Sequence, residues 1–231
     1  MTKPIIVFDL DGTLVDTAPD LLDSLNHCLR SVDMQPVDEV QIRRFIGAGS
    51  RAMIERAFAA DGRQLANGQL DALQALFIEH YTAGMPGRSQ PFPGALDAVA
   101  RFRQAGFVTA VCTNKHERLS RQLLETLEIA GLFEAICGGD SFAHRKPDPR
   151  HLTDTIARAG GDREGAVMIG DSRTDIDTAK AAGIPVVAVD FGYTDQPVHM
   201  FEPSRVISHF DMLTVELAGK LIAAAAGQPA S

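Results

Sequence analysis

The chain has 231 residues, 45% of them hydrophobic and 23% charged, enough apolar material for a full-sized core in one large domain or two small ones. A formal charge of −8 argues against a protein that tracks nucleic acid or coats an anionic membrane, so an anionic ligand has to be drawn in by local cations or a metal. Three scattered cysteines (Cys28, Cys112, Cys137) form no disulfide framework and no export leader is recognisable, so a cytoplasmic, reducing compartment is expected.

Ile5–Phe8 is a β-branched and aromatic run ending in Asp9-Leu10-Asp11-Gly12, and it reads as a buried strand feeding a turn. From Thr17 to Gly84 no strand candidate occurs. Leu21, Leu25, Cys28 and Leu29 repeat at helical spacing behind a capping pair, Thr17 and Asp20. Val40, Phe45 and Ile46 suggest a second helix, Ile54, Ala57 and Phe58 a third, and Leu73, Phe77 and Tyr81 a fourth. Beyond the Gly/Pro-rich stretch Gly84–Gly94, apolar runs return at Phe107–Thr113, Ala135–Cys137, Ala166–Ile169 and Val186–Val189. Helical periodicity fills Ala95–Ala105, Glu117–Leu127, Arg150–Ala159 and Thr174–Ala182, and a last helix is expected at Met212–Ala225. Continuously apolar strands alternating with helices imply a parallel sheet covered on both faces. The expected fold is α/β: a Rossmann-like parallel-sheet core of residues 1–16 and 85–231, with a helical domain of residues 17–84 inserted after the first strand.

Ligands in an open α/β sheet bind at the carboxyl ends of the strands. Asp9, Asp11, Thr113, Asp171 and Lys146 are expected to fall where strands stop. Asp9 directly continues an apolar strand, a poor place for an anion unless something compensates it. Four carboxylates (Asp9, Asp11, Asp171, Asp175) against Lys146 leave three negative charges, which a divalent cation would balance. An all-oxygen donor set favours a hard ion, and Mg²⁺ suits a site that also takes a phosphate. Asp9 and Asp11 are two residues apart, so one can act as nucleophile and the other as general acid and base. Gly12 is expected to turn the chain tightly and expose amides to an anion.

These residues carry a family resemblance. Asp9-Leu10-Asp11-Gly12-Thr13 resembles the first motif of the haloacid dehalogenase superfamily, Val111-Cys112-Thr113-Asn114 the second, Lys146-Pro147-Asp148-Pro149 the third, and Gly170-Asp171-Ser172-Arg173-Thr174-Asp175 the fourth, in the family's order. The resemblance implies that Asp9 is the nucleophile and Asp11 the acid and base. By the same resemblance, Thr113 and Asn114 are expected to hold the phosphoryl group and Lys146 to neutralise charge, and Mg²⁺ is expected on Asp9, the Asp11 carbonyl and Asp171, with Asp175 in support. It further implies that the helical insert is a C1-type cap, and an acid at Asp11 favours phosphate esters over carbon–halogen bonds.

Thr113-Asn114-Lys115, Gly138-Gly139-Asp140-Ser141 and Phe191-Gly192-Tyr193 look like the phosphoglycolate phosphatase branch, as does the cap segment Gly47-Ala48-Gly49-Ser50-Arg51. The substrate implied is a small anionic phosphate ester, 2-phosphoglycolate, whose carboxylate would be read by the amides of Gly47, Gly49 and Ser50 and by Arg51. A plain interhelical turn, with Ser50 as N-cap and Arg51 in solvent, is the alternative at that segment. A sugar-phosphate or pyrophosphate hydrolase, a phosphomutase and a non-catalytic binding protein are the rival functions, and the sequence assigns no oligomeric state. Asp16 is expected to cap the first inserted helix or support its connection.

Overall fold

The computed structural model describes residues 3–194 and 196–227. Strand β1 (Lys3–Phe8) is followed by the short β2 (Val15–Asp16), and the chain then leaves for helices α1 (Ala18–Arg30), α2 (Glu39–Phe45), α3 (Ser50–Ala60) and α4 (Gln69–Gly84). It returns through β3 (Gln90–Pro91), α5 (Ala95–Gln104), β4 (Val108–Cys112), α6 (Glu117–Thr126), β5 (Ala135–Cys137) and α7 (Pro149–Arg158). The last elements are β6 (Gly161–Gly170), α8 (Arg173–Ala181), β7 (Val186–Val189), β8 (Arg205–Ile207) and α9 (Val215–Ala226).

Among the described residues the main sheet has six strands in the order β5-β4-β1-β6-β7-β8, all pairs parallel. Strand order reverses at β1, which places the crevice of a doubly wound sheet beside its carboxyl end. The unbroken apolar runs have a period-two explanation. Ile6, Phe8, Val111, Val167 and Ile169 pack into one face cluster, while Ile5, Val7, Ala110, Ala166 and Met168 pack into the other. Both faces are therefore dry. The inserted helices bury their own cluster, centred on Leu25, Cys28, Ile54, Phe58 and Phe77, and Tyr193 of the core packs into it.

β2 and β3 form an antiparallel pair, Val15 opposite Pro91 and Asp16 opposite Gln90, so the chain enters and leaves the insert at one point. These strands and β8 are absent from the sequence expectation: each is two or three residues long. The last helix starts at Val215 rather than Met212, because Phe210–Met212 forms a 3₁₀ turn and the Thr214 hydroxyl caps the helix by accepting from Leu217 N. The capping pair expected at Thr17 and Asp20 does not form. Thr17 Oγ1 instead donates to Asp11 Oδ1 at 2.8 Å, and the Asp20 carboxylate accepts from the Arg88 and Ser89 amides at 2.9 and 2.7 Å. No helix of the described residues is long and apolar enough to cross a membrane.

Candidate active site

The site grows from strand ends. Asp9 N donates to Ile169 O at 2.8 Å, holding the residue after β1 in ladder register beside β6, and Thr113 N donates to Cys137 O at 3.0 Å just past β4. Asp171 follows β6 directly. Gly12 adopts φ +84°, and a Cβ there would collide with Asp171 Oδ2, so only glycine fits the turn. The turn is tight, as expected, and Gly12 N closes it by donating to Val15 O at 3.0 Å.

Lys146 is the buried cation of this cluster, and it sits in the loop between β5 and α7 rather than at a strand end. Its Nζ lies 2.6 Å from Asp175 Oδ1 and 2.9 Å from Asp9 Oδ1. The approach to Asp9 falls outside hydrogen-bond geometry, so Asp9 Oδ1 is a buried oxygen without a hydrogen-bond partner among the described residues. Asp175 serves two structures at once. As the third residue of α8 its Oδ2 accepts from Ser172 N and Oγ at 3.1 and 2.7 Å in a capping box, while Oδ1 takes Lys146. Asp171 accepts from Thr13 Oγ1 at 2.9 Å and from Tyr193 N at 2.6 Å.

Burial outweighs the lowering pull of Lys146 and, with the Asp175 and Asp11 charges, holds the Asp9 carboxyl up at about 7. Burial, then the neighbouring Asp175 and Asp9 carboxylates, raises Asp171 well above its ordinary range. Burial alone would lower the Lys146 ammonium, but Asp175 and then Asp9 reverse this and hold it charged.

Asp11 is met by a second cation that the sequence expectation left without a role. Lys115 Nζ lies 3.0 Å from Asp11 Oδ1 and 3.3 Å from Oδ2, and 4.3 Å from the centre of the Tyr81 ring contributed by α4. Burial would lower this ammonium, yet the Asp11 carboxylate holds it above its usual range. The charge excess is thus two rather than three, confined to Asp9, Asp171 and Asp175 around Lys146.

Asp9, Asp11, Thr113 and Lys115 line a cavity of about 230 Å³, and the cap closes it with Gly47–Arg51, Phe77 and Tyr81. The expected cap turn therefore lies across from Asp9. Gly49, at φ +89°, is the N-cap of α3, so Ser50 is the first helical residue and not the cap. Arg51 is turned toward its own domain: its Nη1 donates to Gln74 Oε1 at 2.8 Å and pairs with Asp71. The Asn114 side chain ties cap to core, its Nδ2 donating to Gly47 O at 3.3 Å and to Lys146 O at 3.1 Å. Asp16 caps no helix; it accepts from the Tyr193 hydroxyl, which itself accepts from Ala18 N at 2.9 Å. Arg173 points away to Asp177 and Phe201, His144 pairs with Asp154, and His116 pairs with Asp140 at the cavity rim.

One oxygen from each of Asp9, Asp171 and Asp175 lies within 4.8 Å of the others. An unpartnered buried oxygen on Asp9, an all-carboxylate donor set and two uncompensated negative charges fit a hard divalent cation. Asp175, already holding Lys146 and the start of α8, fits a supporting place better than a direct ligand position.

The chain's likenesses agree with this geometry. The family described as Haloacid dehalogenase-like hydrolase matches residues 6–189. Phosphoglycolate phosphatase of Mesorhizobium japonicum is 63% identical over 225 residues, 97% of this chain and 99% of that one. Phosphoglycolate phosphatase of Agrobacterium fabrum is 47% identical, covering 95% of this chain and 94% of its own length. A crystal structure of a predicted phosphoglycolate phosphatase from Haemophilus somnus superposes with a TM-score of 0.85 at 28% identity, over 92% of this chain and 97% of that one.

Proposed function

The chain belongs to the haloacid dehalogenase-like hydrolase family, and from that membership we propose that it hydrolyses 2-phosphoglycolate to glycolate and phosphate through an aspartyl-phosphate on Asp9. The observation that carries this reading is a pair of carboxylates two residues apart, each facing its own buried lysine: Asp9 before Lys146 and Asp11 before Lys115, opening into one cavity. Two differently furnished carboxylates are what a nucleophile and a proton carrier require. The names of the relatives support the substrate, since Mesorhizobium and Agrobacterium phosphoglycolate phosphatases align over nearly their whole length.

Asp9 attacks phosphorus through a carboxylate oxygen, and the bond from phosphorus to the ester oxygen breaks. The departing oxygen takes the proton of Asp11, releasing glycolate. Water then attacks the phosphorus on Asp9 and gives its proton to Asp11, and the bond from phosphorus to Asp9 breaks, releasing phosphate and restoring both side chains. The Thr113 hydroxyl and the Asn114 backbone amide hold phosphoryl oxygens, and Lys146 balances their charge. Asp9, the Asp11 carbonyl and Asp171 would hold Mg²⁺, with Asp175 behind them, and the ion would neutralise negative charge building on the phosphoryl oxygens. The cap segment Gly47–Arg51 walls the cavity and excludes bulk water. Buried free thiols suit a reducing, cytoplasmic setting.

A phosphate-release screen over small monoesters, with Mg²⁺ varied and a bisphosphate sugar included, tests the reading. Phosphoglycolate should give the highest kcat/KM, and chelation should stop release. A sugar phosphate preferred over phosphoglycolate, or an isomerised sugar as product, would replace it with one of its rivals.

A further inference from the structure

Resting on the phosphoglycolate reading above, we propose that Lys115 is the specificity residue that receives the carboxylate of the leaving group. Its ammonium is buried, lines the reaction cavity and stands 3.0 Å from Asp11 Oδ1. The ester oxygen has to come within hydrogen-bond distance of Asp11 to take its proton. In phosphoglycolate a single methylene joins that oxygen to the carboxyl carbon, two bonds of about 1.5 Å each. Wherever Asp11 meets the ester oxygen, the substrate's second anion is thus brought within reach of the cation beside Asp11.

Charge points the same way. Once Asp11 carries the proton it will give up, Lys115 is left without a counter-charge, and it is the cation that touches Asp11, where the substrate's carboxylate arrives. Arg51, the other cation expected to serve, is already engaged by Asp71 and Gln74 of its own domain and half exposed. The Tyr81 ring sets the ammonium from the cap side, at 4.3 Å, so the cation is placed by both halves of the molecule and keeps its position before substrate arrives.

Lys115 also holds Asp11, so its loss slows every substrate. The ratio of kcat/KM for phosphoglycolate to that for ethyl phosphate, which lacks the carboxylate, cancels this common loss. Lys115→Met should lower the ratio about a hundredfold and Lys115→Arg should restore much of it, while Arg51→Ala leaves it within about threefold. Phosphoethanolamine, which carries a cation where phosphoglycolate carries its carboxylate, should gain on ethyl phosphate in Lys115→Met, a change that a purely structural lysine would not produce. Should Lys115→Met fail to fold, Lys115→Gln supplies the same ratio. A ratio unchanged in these variants, or one that collapses in Arg51→Ala instead, overturns the role of Lys115 alone. A wild-type enzyme with no preference for phosphoglycolate over ethyl phosphate overturns the substrate reading and this inference with it.

Discussion

Lys146 Nζ sits closer to Asp175 Oδ1, at 2.6 Å, than to Asp9 Oδ1, at 2.9 Å, and only the shorter approach has hydrogen-bond geometry. The lysine is thus anchored to the side chain that starts α8 and presented to Asp9, which keeps that oxygen free to react.

The two partners of this ion pair should respond unequally to removal. Lys146→Met strands three buried carboxylates and should destabilise the metal-free protein by about 3–5 kcal/mol. Asp175→Asn removes one charge from a cluster already in excess, and should lose less than about half of that. Urea unfolding in the presence of a chelator measures both. Equal losses would show that charge excess does not govern the stability of the cluster.

Asp9→Asn should lower turnover by at least about a thousandfold while leaving the far-ultraviolet spectrum unchanged. In the wild type, acid quenching during turnover and peptide mass spectrometry should find a phosphoryl group on the Asp9 peptide. Asp11→Asn should slow both formation and hydrolysis of that species, by about 10²- to 10⁴-fold. A variant at either position with near-native kcat would remove its assigned role.

Gly12→Ala meets three obstacles together, a left-handed backbone, the Asp171 carboxylate and the Tyr193 ring. Activity should fall more steeply than stability, because the tightest collision is with the Asp171 carboxylate and its relief displaces that side chain. Stability should drop by about 1–3 kcal/mol, and divalent-ion affinity, read by calorimetry, should drop with it. Unaltered ion binding in a folded Gly12→Ala protein would sink this account.

His151 supplies a pH signature. It is fully buried, with Nδ1 accepting from Lys146 N at 3.2 Å and Nε2 placed 3.0 Å from Gly138 O, so the ring is neutral with its proton on Nε2. Burial first, and the Lys146 charge second, hold its pKa down at about 4, against an ordinary 6.5. Between these values the unfolded chain binds the extra proton. The stabilisation is therefore complete above pH 6.5 and is lost as pH falls toward 4, on the order of 3 kcal/mol in all. Asp9, raised to about 7, has the opposite sign: the folded protein keeps its proton longer, so stability falls as pH rises from the ordinary carboxylate range. Subtracting the profile of His151→Gln from that of the wild type isolates the histidine. The difference should rise from pH 4 to 6.5 and then flatten; a flat difference throughout would falsify the neutral-ring assignment.

Tyr193→Phe deletes the hydroxyl that donates to Asp16 and accepts from Ala18 N, leaving the ring in the cap cluster. The expected loss is about 1–3 kcal/mol. Hydrogen exchange should accelerate at residues 15–20 well before it does in β1 or β6. Uniform acceleration across the protein would mean that the hydroxyl supports the whole fold and not the junction.

The sheet and the strand-end aspartates were legible because their signals are local: an apolar run that ends in Asp9, or Asp171 just past the apolar run Ala166–Ile169. Lys115 was not, since a lysine just before α6 reads as a solvated charge until Tyr81, supplied by the cap, is laid against it. Tyr193 stood inside a recognisable Phe191-Gly192-Tyr193 string, but its partners Asp16 and Ala18 lie at the other end of the chain. Thr17 and Asp20 had the residue types of a cap, and tertiary partners overrode them: Asp11 took the hydroxyl, and Ser89 and Arg88 took the carboxylate. Edge strand β8 escaped because Arg205-Val206-Ile207 buries only its last residue fully.

The pairing of Val15–Asp16 with Gln90–Pro91 makes the outgoing and returning chain neighbours. An excursion that begins and ends at one doorway places almost no geometric demand on the sheet it interrupts. Insertions or deletions within the lid leave its two ends, and so the strands beneath, at the same separation. Selectivity in such a molecule is free to drift through its lid while the phosphorus chemistry underneath stays put.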